Sequence, residues 1–236
     1  MPYFFFNRSG RIYFVRPVFD FGVLVKATTN GASEMVNTGS QAIVGALMNN
    51  VLMRIHGAEA VAAGAIILAG FAIAQALFDG YAQGISPLIS YNYGKSDEVN
   101  LRRIYSGSKR VVAGIAFFGI FASWFMADNM AAIYGLPVGS NIYMITITGF
   151  RIFITGFMFM AYNVFASAMF TAFNNGVLSA TIAFCRAILF SVVAMLVMPN
   201  IIGLNGVWLA QPMAEILTIG ITVCFLKKMK STYKYA

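Results

Sequence analysis

Charge is scarce in this sequence. Only 10% of its 236 residues are Asp, Glu, Lys or Arg, where a water-soluble domain carries about a quarter. A hydrated surface cannot be assembled from so few charges, which excludes a soluble globular fold. Cysteine is nearly absent too: Cys185 and Cys224 stand alone inside apolar runs, which excludes a disulfide framework and a cysteine metal site, and both read as packed thiols. The single histidine, His56, has no nucleophile or orienting group at catalytic spacing, so the chain reads as a non-enzyme with no metal and no cofactor. A glycine-rich phosphate loop is missing, which excludes ATP-driven pumping by this chain alone. The N-terminal stretch is not expected to be a signal peptide, because Arg8, Arg11 and Arg16 break up any apolar core of the required length.

What is present is hydrophobic mass. Apolar residues make up 59% of the chain and the mean hydropathy is +0.76. Together with 22 glycines and 22 phenylalanines, this predicts an all-α polytopic membrane protein, with the lipid bilayer as its first partner. A helix needs about 20 mostly apolar residues to cross the hydrocarbon core. Six stretches qualify as expected spans: 32–53, 60–88, 111–126, 143–173, 178–198 and 207–226. The aromatic and arginine-rich segment 1–31 reads as an interfacial arm, with "PYFFF" suited to the end of a preceding helix, and 227–236 reads as a basic cytoplasmic tail.

Placement of the bases sets the orientation. With six spans, all of the 16 lysines and arginines except Arg54, Arg151 and Arg186 fall on one side. That side is the cytoplasm by the positive-inside rule, so both termini are expected there, in a multi-pass plasma-membrane (cell inner membrane) protein. The net charge of +8 is thereby explained by topology, and no nucleic-acid partner is implied.

Between the second and third spans lies "GISPLISYNYGK", residues 84–95. Pro87 lacks an amide donor and disfavours helical geometry at Ser86, so a kink or helix end is expected there. Tyr91 and Tyr93 suit the interface, and Gly94 is expected to open a left-handed turn.

Polar residues inside the spans are the candidates for function, because an ionisable group at mid-bilayer costs about 2.5 to 3.5 kcal/mol on insertion scales. Glu34, Asn37 and Gln41 share a stripe on the first span, and Gln75, Asp79 and Gln83 recur every four residues on the second. Arg151, Thr155, Met158 and Tyr162 share a face of the fourth, and Glu215 follows Pro212 in the sixth. Alternatives stay open for each. Glu34 suits either a cavity or a helix start. Asp79 suits either transport or pairing with Arg151 or Arg186. Glu215 suits a cavity or the backbone freed by the proline, and the stripe on the fourth span suits packing as well as a cleft wall. Arg151 and Arg186 are both read as snorkelling toward an interface. Taken together, at least three polar faces in a lipid-soluble chain converge on something wet, as in a transport lobe.

Three blocks carry a resemblance: "NGASEMVNTGSQAIVGALMNNVLMRIHG" at 30–57, "QGISPLISYNYGK" with "RRIYSGSKR" within 83–110, and "GVWLAQPMAE" at 206–215. In order and spacing they resemble the C-terminal lobe of multidrug and toxin extrusion (MATE) transporters. The resemblance implies two six-helix lobes around a central cleft, and efflux of small cationic lipophilic compounds driven by sodium ions or protons through alternating access. It also implies a second lobe as partner, so that this chain is a fragment, a split-gene product or a subunit that pairs with a second lobe, with a fragment or truncated gene product expected. Glu34 matches an acid implicated in cation coupling in some subfamilies, with Asp79 as the second coupling candidate. Another family acid falls near Met160, which is no carboxylate, so that cation site is not expected here. Two other classes remain: a lipid-linked oligosaccharide flippase, which would want more bases facing the cleft, and a non-transporting membrane subunit.

Overall fold

A computed structural model describes residues 19–236. Among them the chain forms six long helical rods and no strand. They are α1 (Phe21–His56), α2 (Ala58–Gly94), α3 (Glu98–Ile133), α4 (Asn141–Ala172), α5 (Gly176–Ile202) and α6 (Leu204–Tyr233). All but α1 are long and apolar enough to cross a membrane. α1 falls short because the polar stripe through Glu34, Asn37 and Gln41 dilutes its hydropathy.

Short polar caps and positive-φ residues separate the rods. Asp20 caps α1 by accepting from the Gly22 amide at 2.8 Å, and Gly57 at φ 77° is the whole link between α1 and α2. Asp97, Ser140 and Asn175 each accept from an amide in the first turn of α3, α4 and α5. Gly203 at φ 61° turns α5 into α6.

The helices outrun the expected spans at most ends. α1 begins at Phe21, inside the segment expected to be an arm, so 21–31 are helical. Residues 1–18 of that arm, including "PYFFF", lie outside the described residues. Pro87 does not end its helix: α2 continues to Gly94. Beside it Ser86 Oγ donates to Ala82 O at 2.7 Å and Asn92 donates to Leu88 O at 2.8 Å, although neither bond replaces the donor that Pro87 withholds from the Gln83 carbonyl. The left-handed residue of the following turn is Ser96, φ 57°, rather than Gly94. The expected basic tail is folded, with Tyr235 only 1% exposed and its hydroxyl donating to Leu226 O at 2.5 Å.

Two rods carry local irregularities that matter for the site. α4 tightens to a 3-10 turn at Ile154–Gly156, where Gly156 presses on α6: a Cβ there would lie 2.9 Å from the Pro212 Cα. α5 widens to a π turn at Cys185–Leu189. The core is aliphatic and aromatic, with Leu52, Ile67, Phe157, Phe165 and Trp208 at most 1% exposed. Gly149 lets α4 approach it, since a Cβ would sit 2.7 Å from Ile67 Cδ1 and 2.8 Å from the Trp208 ring. Outward faces are also apolar, as at Phe117, Phe118, Phe121 and Phe125 of α3, which suits lipid contact. Cys185 is buried as expected, but Cys224 is exposed on this outer surface.

Candidate functional site

Two cavities lie along the facing stripes of α1 and α2. The first, about 330 Å³, is walled by Gln41 of α1, Gln75 of α2, Arg186 and Ser191 of α5, and Gln211 of α6. The second, about 380 Å³, is walled by Glu34 of α1, Gln83 and Ser86 of α2, and Ser167 and Thr171 of α4. Asn37 and Asp79 line both. The four-residue spacing of Gln75, Asp79 and Gln83 explains this: each turn of α2 presents its polar side chain to the same wet strip. The cavities fall within the range of small-molecule sites, ~300 to 1,000 Å³.

Behind the first cavity runs a buried polar network. Arg186 is 5% exposed and Glu215 is fully buried. Their charged atoms lie 3.3 Å apart. Arg186 Nη2 also donates to Asn37 Oδ1 at 2.8 Å, which ties α1 to α5. Glu215 Oε1 accepts from Gln211 at 3.2 Å, and Oε2 accepts from Asn163 at 2.8 Å. Asn163 Oδ1 in turn accepts from Thr222 at 2.8 Å. The π turn places the arginine here: it leaves the Arg186 carbonyl to accept from Ser191 Oγ at 2.7 Å, a bond five residues along the helix. A buried charge is tolerated only when paired and hydrogen-bonded, and both members of this pair are.

Against this geometry stands one decisive comparison: the MatE family model matches residues 35–197. The chain belongs to the MatE family. Solved MATE structures share the fold. An outward-facing multidrug resistance MATE transporter of the MOP superfamily aligns with TM-score 0.84 at 16% identity, over 98% of this chain and 52% of the other. The Vibrio cholerae MATE transporter VcmN in its bent form aligns with TM-score 0.78 at 14% identity, over 92% and 49%. A MOP superfamily transporter from Pyrococcus furiosus, for which a binding pocket of reverse polarity suggests a different function, aligns with TM-score 0.85 at 15% identity, over 98% and 52%. The chain thus spans about half the length of the structures it matches. No curated protein matches it. At this identity the likeness establishes the fold alone: an all-α bundle matched over one half of a MATE structure, with five helices long and apolar enough to cross a membrane.

Within this MatE fold the expected site residues divide. Glu34, Asn37, Gln41, Gln75, Asp79 and Gln83 all reach the cavities. Glu215 lies one layer behind, reached through Arg186 and Gln211. The α4 stripe goes elsewhere. Arg151 turns to α3, 3.2 Å from Asp128 and stacked 5.3 Å from the Trp124 ring centroid. Thr155 is exposed and donates to Ile152 O. Met158 is 43% exposed, and the Tyr162 hydroxyl meets that of Tyr105 at 3.4 Å. None of these four lines either cavity. Met160, where some family members carry an acid, is 1% exposed in the core.

Arg186 corrects the sequence reading most. It does not snorkel, and Asp79 pairs with neither it nor Arg151 in a salt bridge; its partner is Glu215. Asn163, Ser191, Gln211 and Thr222 were not singled out from sequence. The available signal was the clustering of Gln211, Glu215, Thr218 and Thr222 on one face of α6.

Proposed function

We propose that this chain forms one lobe of an ion-coupled antiporter that exports small cationic lipophilic compounds. Sodium ions or protons serve as the coupling ion, a second six-helix lobe completes the cleft, and alternating access moves the substrate. The observation that carries this reading is Asp79, a carboxylate in the wall of both cavities, with Glu34 in the second. Acids lining an intramembrane cavity attract either an inward-moving cation or a cationic substrate, and competition between the two is the physical basis of exchange. Phe71, Phe153 and Met195 give the first cavity its apolar part, which suits lipophilic substrates. The coverage of about half a MATE structure supports a missing lobe, and the placement of lysine and arginine supports two cytoplasmic termini.

A flippase would need uncompensated positive charge facing the cleft for an anionic headgroup. Arg186 reaches the first cavity, but Glu215 offsets its charge at 3.3 Å, and Arg151 lies outside. In a complete transporter containing this lobe, Glu34→Gln is expected to reduce drug efflux severalfold at unchanged expression. Full efflux by that variant would remove Glu34 from the coupling role. No drug-accumulation change from the chain, alone or with a matching N-terminal lobe, would favour a non-transporting subunit.

A further inference from the structure

The charge count around the first cavity is unequal. Among the described residues, Arg186 is the one base in its wall and Asp79 the one acid, with Glu215 directly behind the base. One guanidinium therefore faces two carboxylates. Glu215 holds the only salt bridge to it among the described residues, at 3.3 Å, and its carboxylate also accepts from Gln211 and Asn163. Asn37 takes a second face of the guanidinium at 2.8 Å. No described side chain forms a salt bridge with Asp79.

We propose that Arg186 is a positioning residue: by locking Glu215 into a closed ion pair, it leaves Asp79 as the one exchangeable acid of the first cavity. The inference rests on the ion-coupled reading above and specifies how that site is regulated. In the low-dielectric interior, two carboxylates near one base compete for it, and the unpaired one must take up a proton or another cation. Burial decides the competition here. Glu215, fully enclosed with three hydrogen-bond partners, keeps the arginine, whereas Asp79 opens to both cavities and can exchange its counter-ion with whatever enters. The other charged groups facing Asp79 are few. Glu34 of α1 shares the second cavity, Arg186 of α5 shares the first, and α4 contributes only apolar and hydroxyl side chains. α3 contributes nothing to either wall. The π turn is part of the device, since it supplies the extra residue that turns Arg186 inward between Asn37 and Glu215.

Infrared difference spectroscopy of the full chain in lipid nanodiscs, stepped from neutral to acidic pH, reads the two acids separately through the carbonyl stretch of each protonated carboxyl. In the unmodified chain a band is expected that Asp79→Asn removes, with no band that Glu215→Gln removes. Arg186→Gln is expected to add a second band, assigned by its loss in the Arg186→Gln, Glu215→Gln double variant, and Arg186→Lys to restore the single-band pattern. Where Arg186→Gln does not fold, Glu215→Gln serves: the freed arginine is expected to pair with Asp79 and abolish its band at the pH where the unmodified chain shows it. A Glu215 band in the unmodified chain, an unchanged spectrum in Arg186→Gln, or an unchanged Asp79 band in Glu215→Gln would overturn the proposal. Efflux assays fail independently: active transport with unmoved bands defeats only the role of Arg186, while moved bands without transport defeat the exporter reading.

Discussion

Two arginines occupy the middle of helical rods in this lobe, and they live in different worlds. Arg151 meets Asp128 at 3.2 Å with side chains 35% and 52% exposed. Arg186 meets Glu215 at 3.3 Å with side chains 7% and 1% exposed. The separations are nearly equal, so distance does not distinguish them; surroundings do. Around Arg151 the partner is a single carboxylate with a tyrosine hydroxyl and a tryptophan face beside it, and its Nε is left without a partner. Around Arg186 the pair is embedded in hydrogen bonds that reach α1, α4 and α6. The first ion pair ties two neighbouring helices. The second joins the cavity wall to the core.

The largest effect expected from breaking this comparison is at the buried pair. Arg186→Ala or Glu215→Ala leaves an uncompensated buried charge and should cost about 3 to 5 kcal/mol, measured by thermal unfolding in detergent. Next comes the contact that holds α6 against α4. Gly156→Ala pushes a methyl to 2.9 Å from the Pro212 backbone, which has no flexible end to yield, so a loss of about 1 to 3 kcal/mol is expected in the same assay. At the exposed pair, Arg151→Ala should cost about 1 kcal/mol or less, and a loss as large as at Arg186 would erase the distinction.

The smallest effect belongs to Asp97, the exposed cap of α3 outside the membrane spans. Hydrogen bonds from the Asn100 amide, and then from its carboxamide, hold the Asp97 carboxyl below its usual range. A depressed value in the folded state means that its contribution is full above the ordinary aspartate range and is lost as pH falls through the folded value. Hydrogen exchange at the Asn100 amide should therefore lose protection on acidification below the aspartate range, and Asp97→Ala should lose it at every pH. Unchanged protection in that variant would show that the cap does not hold the α3 start.

The sequence already contained the rods and half of the site. Long apolar runs mark α2 to α6 because hydrocarbon tolerates little else, and the four-residue spacing on α2 put Gln75, Asp79 and Gln83 on the cavity side. Periodicity says which residues share a face but not where that face points. This is why Arg151, Thr155, Met158 and Tyr162 share a stripe yet leave the cavities untouched. The Arg186 network was hidden for another reason: its members come from helices far apart in sequence, with Asn37 149 residues from Arg186 and Glu215 another 29 beyond. Pro87 misled because a long membrane helix tolerates one missing donor, and α2 runs through it to Gly94.

The proposed exchange turns on the two-cavity acid, Asp79. Ethidium accumulation in cells expressing the complete transporter tests it directly, with Asp79→Asn compared with the unmodified protein at equal membrane abundance. Cells with the variant are expected to accumulate dye as cells lacking the transporter do. Accumulation as low as with the unmodified protein would contradict it.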